Sequence, residues 1–119
     1  LSACVHSILA SRLGRIEKAY SLYLRTSRLD LDDYNKEVEE GLHITSMAGT
    51  WMSLVHGFGG VRIINNQLHI DPILPKSWEK YHFKINYRNT SINVEVDKEN
   101  VNIDYSNSSL TIYCNGELV

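Results

Sequence analysis

The sequence has little of what would disclose a function at once. It holds two cysteines, Cys4 and Cys114, at opposite ends of its 119 residues. A bridge between them would close nearly the whole chain. A disulfide framework is therefore excluded, and two reduced thiols are expected, which points to a reducing, cytoplasmic compartment. Neither sign of charge is in excess, since 12 Lys+Arg stand against 14 Asp+Glu for a formal net charge of −2. Without a basic surplus there is no long-range attraction for a nucleic-acid backbone or an anionic membrane. No stretch approaches the ~20 apolar residues that a membrane-spanning helix needs. Also missing are a Gly-rich phosphate loop, a histidine pair at i, i+4, and a Ser/His/Asp arrangement of known type. No positively charged leader with an apolar core precedes the first pattern. The chain starts at Leu1, already inside a helical pattern, and the expectation is a piece of something longer.

What is present falls into two textures. Hydrophobic residues are 43% and charged residues 22%, the mix of a globular protein. Residues 1–58 read as helical. Val5, Ile8, Leu9 and Leu13 recur on one helix face, and Gly14 follows as a residue that adopts positive φ without penalty. Ile16, Ala19, Tyr20, Tyr23 and Leu24 repeat the pattern at once, which predicts an antiparallel helix pair. Asp30, Asp32, Asp33 and Asn35 then break it. Asp and Asn bond to nearby backbone and so favour turns and caps. A third helix is predicted over 44–56, with Ile44, Met47, Trp51, Leu54 and Val55 on one stripe.

Residues 59–119 switch to period two. Two short runs flank Asn65-Asn66, a pair that tolerates the left-handed backbone of a tight hairpin. Further alternating runs follow around 81–88, Ile92-Val94-Val96, Val101-Ile103-Tyr105, Leu110-Ile112-Cys114 and Leu118. The fold class expected is therefore α+β: helices first, then an antiparallel β-sandwich or jelly roll.

Few residues offer chemistry. Gly41-Leu42-His43-Ile44-Thr45-Ser46 places His43 at the start of a helix. Unpaired N–H groups and the positive dipole end favour an anion there, and a histidine adds a proton-bearing donor. A phosphate or carboxylate site is one reading; a histidine that only caps or packs is the other. Asp30, Asp32 and Asp33 could pair for hydrolysis or hold a metal, but neither the Gly nor the bidentate Glu of a calcium loop follows them, and turn aspartates ordinarily cap helices. Arg12, Arg15, Arg25 and Arg28 could meet phosphate or simply face water. A non-catalytic sugar-binding module, with Trp51, Trp78 and tyrosines stacking on a sugar, is the alternative to an enzyme fragment.

The run RLDLDDYNKEVEEGLHITSMAGTWMSLVHGFGG resembles the closing motif of glycoside hydrolase family 65. LSACVHSILASRLGRIEKAY resembles the end of that family's serine motif and the helix after it. GGVRIINNQLHIDPILPKSWEKYHFKINYRNTSINVEV resembles the start of its C-terminal domain. The resemblance implies that residues 1–58 are the last helices of an (α/α)6 catalytic barrel and residues 59–119 most of a C-terminal β-sandwich. It implies an enzyme in which inorganic phosphate cleaves an α-linked glucose disaccharide with inversion, without a cofactor, in a homodimer. It makes His43 and Ser2 the phosphate-binding residues, Ser2 being the last serine of its motif. The family's general-acid Glu and its Lys-Gln pair have no counterpart in these residues, so no catalytic residue is assigned and the chain alone is expected to be inactive.

Overall fold

The computed structural model describes residues 2–33, 36 and 38–119, and nothing of the Val38 side chain. The turn expected at Asn35 and the Leu1 of the serine motif lie outside the described residues. The chain divides into two compact units, residues 1–58 and 59–119.

The first unit is helical. Helix α1 spans Ser2–Arg12, α2 Ile16–Ser27 and α3 Leu29–Asp32, a single turn where only a break in the pattern was expected. A 3-10 turn at Val38–Glu40 leads to α4, Ile44–Met52, which runs on as π-helical turns over Ser53–Phe58. The α1–α2 corner is closed as the sequence predicts. Gly14 has φ 73°, the Arg15 N–H donates to the Ala10 carbonyl, and the Gly14 N–H donates to that of Ser11. That double bond around a left-handed glycine satisfies carbonyls the helix end leaves open.

The face that α1 buries is not the one its apolar residues mark. Cys4, Ser7, Ala10 and Ser11 are buried, while Val5, Leu9 and Leu13 are exposed. Helix α4 does the same: Ser46 and Gly49 are buried, and Ile44, Met47 and Trp51 are exposed. The apolar stripes on α1 and the first turns of α4 are therefore largely exposed, while Val55, further along the third stripe, is buried. Small side chains let the helices approach closely. The Ser7 hydroxyl donates to the Ala19 carbonyl of α2 at 2.7 Å, and the Ser53 hydroxyl donates to that of Cys4 at 3.4 Å. A Cβ on Gly49 would stand 2.9 Å from the Cys4 Sγ.

The second unit holds two sheets. The first has β1 (Val61–Ile64), β2 (Gln67–Ile70), β6 (Ile112–Cys114) and β7 (Glu117–Leu118) in the order β1-β2-β6-β7. The second is the meander β3 (Lys80–Tyr87), β4 (Thr90–Asp97) and β5 (Val101–Asp104). Three hairpins turn on two residues each, Asn65-Asn66, Arg88-Asn89 and Asn115-Gly116, all with positive φ. Two successive left-handed residues match the twist of the strands they join. Along β4, Thr90, Ile92, Val94 and Val96 are buried and their neighbours are not. They stand opposite Tyr87, Ile85, Phe83 and Tyr81, so one face of the meander carries the core. One pairing, β2 with β6, is parallel. The chain passes through the whole second sheet between them, which supplies the long crossover that a parallel pair needs.

Candidate functional site

The best-defined polar arrangement lies where α4 begins. His43 is its N-cap residue, with φ −87° and ψ 79°, and its side chain makes no capping bond to the helix. The ring turns instead to Asp30 in α3. The Asp30 carboxylate accepts twice from this one residue: from the backbone N–H at 2.9 Å and, through its other oxygen, from Nδ1 at 2.5 Å. An ionised carboxylate can only accept, so Nδ1 carries the hydrogen in this pair. The His43 side chain keeps 26% of its surface exposed, and that of Asp30 17%. The hydrogen bond from the His43 ring, followed by that from the His43 N–H, holds the Asp30 carboxyl below its ordinary pKa, against a smaller upward push from desolvation.

The remaining aspartates have separate tasks. Asp32 binds Arg28 through both oxygens at 2.8 Å, one helical turn away and exposed. That bond lowers the Asp32 carboxyl pKa and raises that of Arg28. Asp33 ends α3 with φ 46°. Among the described residues, no group of three or more His, Cys, Asp or Glu is arranged to hold a metal ion.

Ser2 is exposed at the first turn of α1. It lines a pocket of about 110 Å³ with Ala3, His6, Leu22, Arg25, Thr26, Leu29 and Ser46. His43 is not part of that wall. Ser46, whose N–H donates to the His43 carbonyl, and Leu29, next to Asp30, connect the two places. Of the four arginines weighed for phosphate, Arg25 reaches this pocket, and Arg28 is taken up by Asp32. The pairing of Asp30 with His43 was not foreseen. The two are 13 residues apart, and their types alone carry no signal of contact.

In the second unit two of the aromatics proposed for sugar stacking, Trp78 and Tyr81, pack together. Trp78 meets Tyr81 edge-on at 5.8 Å, and Tyr81 stacks on Phe83, both buried. The Tyr81 hydroxyl donates to the Ile73 carbonyl at 2.9 Å, and burial raises its pKa.

Two family models match the chain, one within each unit. Residues 1–52 match the central catalytic domain of glycosyl hydrolase family 65, and residues 61–119 match that family's C-terminal domain. The chain belongs to glycosyl hydrolase family 65. Its relatives there include maltose, trehalose and kojibiose phosphorylases. It is 57% identical over 101 residues to maltose phosphorylase from Bacillus subtilis, covering 85% of this chain and 13% of that protein. It is 42% identical over 118 residues to α,α-trehalose phosphorylase from Geobacillus stearothermophilus, covering 98% of this chain and 15% of that protein. A solved structure from the human microbiome, assigned as a kojibiose phosphorylase, superimposes with a TM-score of 0.90 at 42% identity over 98% of this chain and 17% of its own. The family 65 chain described here thus spans well under a fifth of the length of these relatives, and corresponds to their C-terminal part.

Proposed function

We propose that this chain is the C-terminal part of an inverting disaccharide phosphorylase that acts on a maltose-type α-glucoside. The 57% identity to maltose phosphorylase carries this reading. The exposed apolar faces of α1 and α4 support it, because Val5, Leu9, Leu13, Ile44, Met47 and Trp51 suit helices that pack on further helices of a barrel. In the reaction, a phosphate oxygen attacks the anomeric carbon as the glycosidic C–O bond breaks. A general acid outside these residues protonates the leaving oxygen, giving β-glucose 1-phosphate and glucose. His43 Nε2 and the Ser2 hydroxyl are the donors this chain brings to phosphate. Charge-assisted hydrogen bonds of this kind are the strong ones. A homodimer and a cytoplasmic location belong to the same proposal.

The test uses the full-length enzyme with phosphate and maltose, trehalose or kojibiose as the paired substrate. Glucose 1-phosphate should form fastest from maltose. His43→Ala should raise the KM for phosphate on the order of 10- to 100-fold, the worth of one hydrogen bond to a charged group, and the KM for sugar much less. Equal effects on both would remove His43 from the phosphate site. The isolated chain should produce no glucose 1-phosphate.

A further inference from the structure

We propose that Asp30 is the positioning residue for His43: one carboxylate oxygen holds the ring at Nδ1, the other holds the backbone N–H, and together they aim Nε2 as the hydrogen donor to phosphate. This rests on the phosphate role given to His43 above.

Three observations carry it. First, both oxygens of one carboxylate go to the same residue, at 2.5 and 2.9 Å. A carboxylate that only satisfied the helix end would need one oxygen for the N–H and would leave the ring to rotate. Here the ring cannot turn about its own bond without losing Nδ1. Second, His43 occupies the N-cap position of α4 yet makes no side-chain cap bond. The ring is diverted from the local task its position offers to a partner on another helix. Third, the His43 side chain keeps 26% of its surface exposed although Nδ1 is bonded to Asp30.

The electrostatics are consistent. The hydrogen bonds from His43 hold the Asp30 carboxyl in its anionic form. An imidazolium–carboxylate pair is close to neutral, so Asp30 gives His43 a second N–H without opposing an approaching phosphate dianion as a bare carboxylate would. The role parallels that of the partners that orient metal-bound histidines through their other ring nitrogen, whose loss costs about 10- to 100-fold.

The experiment compares Asp30→Ala, Asp30→Asn, His43→Ala and the double variant D30A/H43A in the full-length enzyme, with inorganic phosphate and disaccharide varied separately. Asp30→Ala should raise the KM for phosphate roughly tenfold or more while leaving that for sugar within about twofold. Asp30→Asn keeps an acceptor for Nδ1 but loses the charge, and should recover part of the loss. The double variant should be no worse than His43→Ala alone, because Asp30 acts only through the ring. If His43→Ala raises the phosphate KM but Asp30→Ala does not, or if Asp30→Ala and Asp30→Asn weaken phosphate and sugar alike, the inference is overturned and the phosphate role of His43 stands. If His43→Ala itself leaves phosphate unaffected, both fail. Circular dichroism separates a variant that has lost its fold, and Asp30→Asn, the nearly isosteric change, then decides.

Discussion

Substituting Gly60 should damage the second unit far more than substituting Gly116, although both have left-handed backbones, with φ +63° and +83°. A side chain held at positive φ costs roughly 1–2 kcal/mol at either position. Space separates them. A Cβ on Gly116 would meet nothing within 4 Å, whereas on Gly60 it would lie 2.2 Å from the backbone oxygen of Asp71 and 2.7 Å from its carbonyl carbon. Both obstacles are backbone, and neither can swing aside. The chain before β1 and after β2 would have to part, stretching the 3.3 Å bond from the Asp71 N–H to the Gly60 carbonyl. Asp71 also accepts from the Arg62 side chain and from the Asn115 N–H, so its displacement loosens the edge of β6 as well. Overpacking of this kind costs about 1–3 kcal/mol and a lost hydrogen bond about 1 kcal/mol. Gly60→Ala should therefore lose about 4 kcal/mol against about 1–2 kcal/mol for Gly116→Ala, a gap of at least ~8 °C in Tm for a domain this small. Urea unfolding of the chain in a Trp51→Phe background measures it, because Trp78 is then the only tryptophan and reports on the second unit. Equal losses in the two variants, within ~0.5 kcal/mol, would refute the overlap and leave backbone strain as the whole effect.

In the first unit, Gly49→Ala sets a gain against a clash. Alanine improves helix propensity by about 1 kcal/mol, but the new methyl meets the buried Cys4 at 2.9 Å from Sγ and 3.0 Å from Cβ. Overpacking of about 1–3 kcal/mol should prevail, and adding Cys4→Ala should return part of the loss; a more stable Gly49→Ala in thermal unfolding would reverse the sign. A further expectation concerns pH. The folded-state pKa of Asp30 is lowered by His43, so its contribution is fully present above the ordinary Asp range near 3.9 and disappears as pH falls through the lower folded value. The stability gap between wild type and Asp30→Ala, followed by circular dichroism at 222 nm, should close on acidification; a gap that stayed constant would mean that the carboxylate charge is not what binds it to His43.

The strand half was legible because its signals are local. Asn65-Asn66, Arg88-Asn89 and Asn115-Gly116 announce their turns by residue type, and period two over 90–97 marks the buried face directly. The parallel β2–β6 pair was not legible. Which distant strand lies beside β2 depends on the route of the chain through the second sheet, and no short window contains that information. The helical half was half legible for a different reason. Periodicity located α1, α2 and α4, and Gly14 located the corner. Hydrophobicity, however, does not mark the buried face of α1, where Val5 and Leu9 are exposed and Cys4, Ser7, Ala10 and Ser11 are buried. The seam within the unit includes Ser7, Ala10, Ser11, Ala19, Ser46 and Gly49, whose value lies in being small, beside the buried Val55 and Phe58.

That inversion bears on the site. A helix seam of serine, alanine and glycine lets α1 pack against α2 and α4 at close range, in the unit that carries Ser2 and His43. Close approach of this sort is exact only when each side chain is small; one added methyl at Gly49 already overlaps Cys4. The Asp30 carboxylate then binds His43 at the start of α4 with two bonds, one from the ring and one from the backbone N–H. Histidine at a helix start, read alone, is as compatible with a cap as with an anion site. What favours the anion site is the diversion of its side chain away from capping, and that diversion is visible only when Asp30, thirteen residues earlier, is in place beside it.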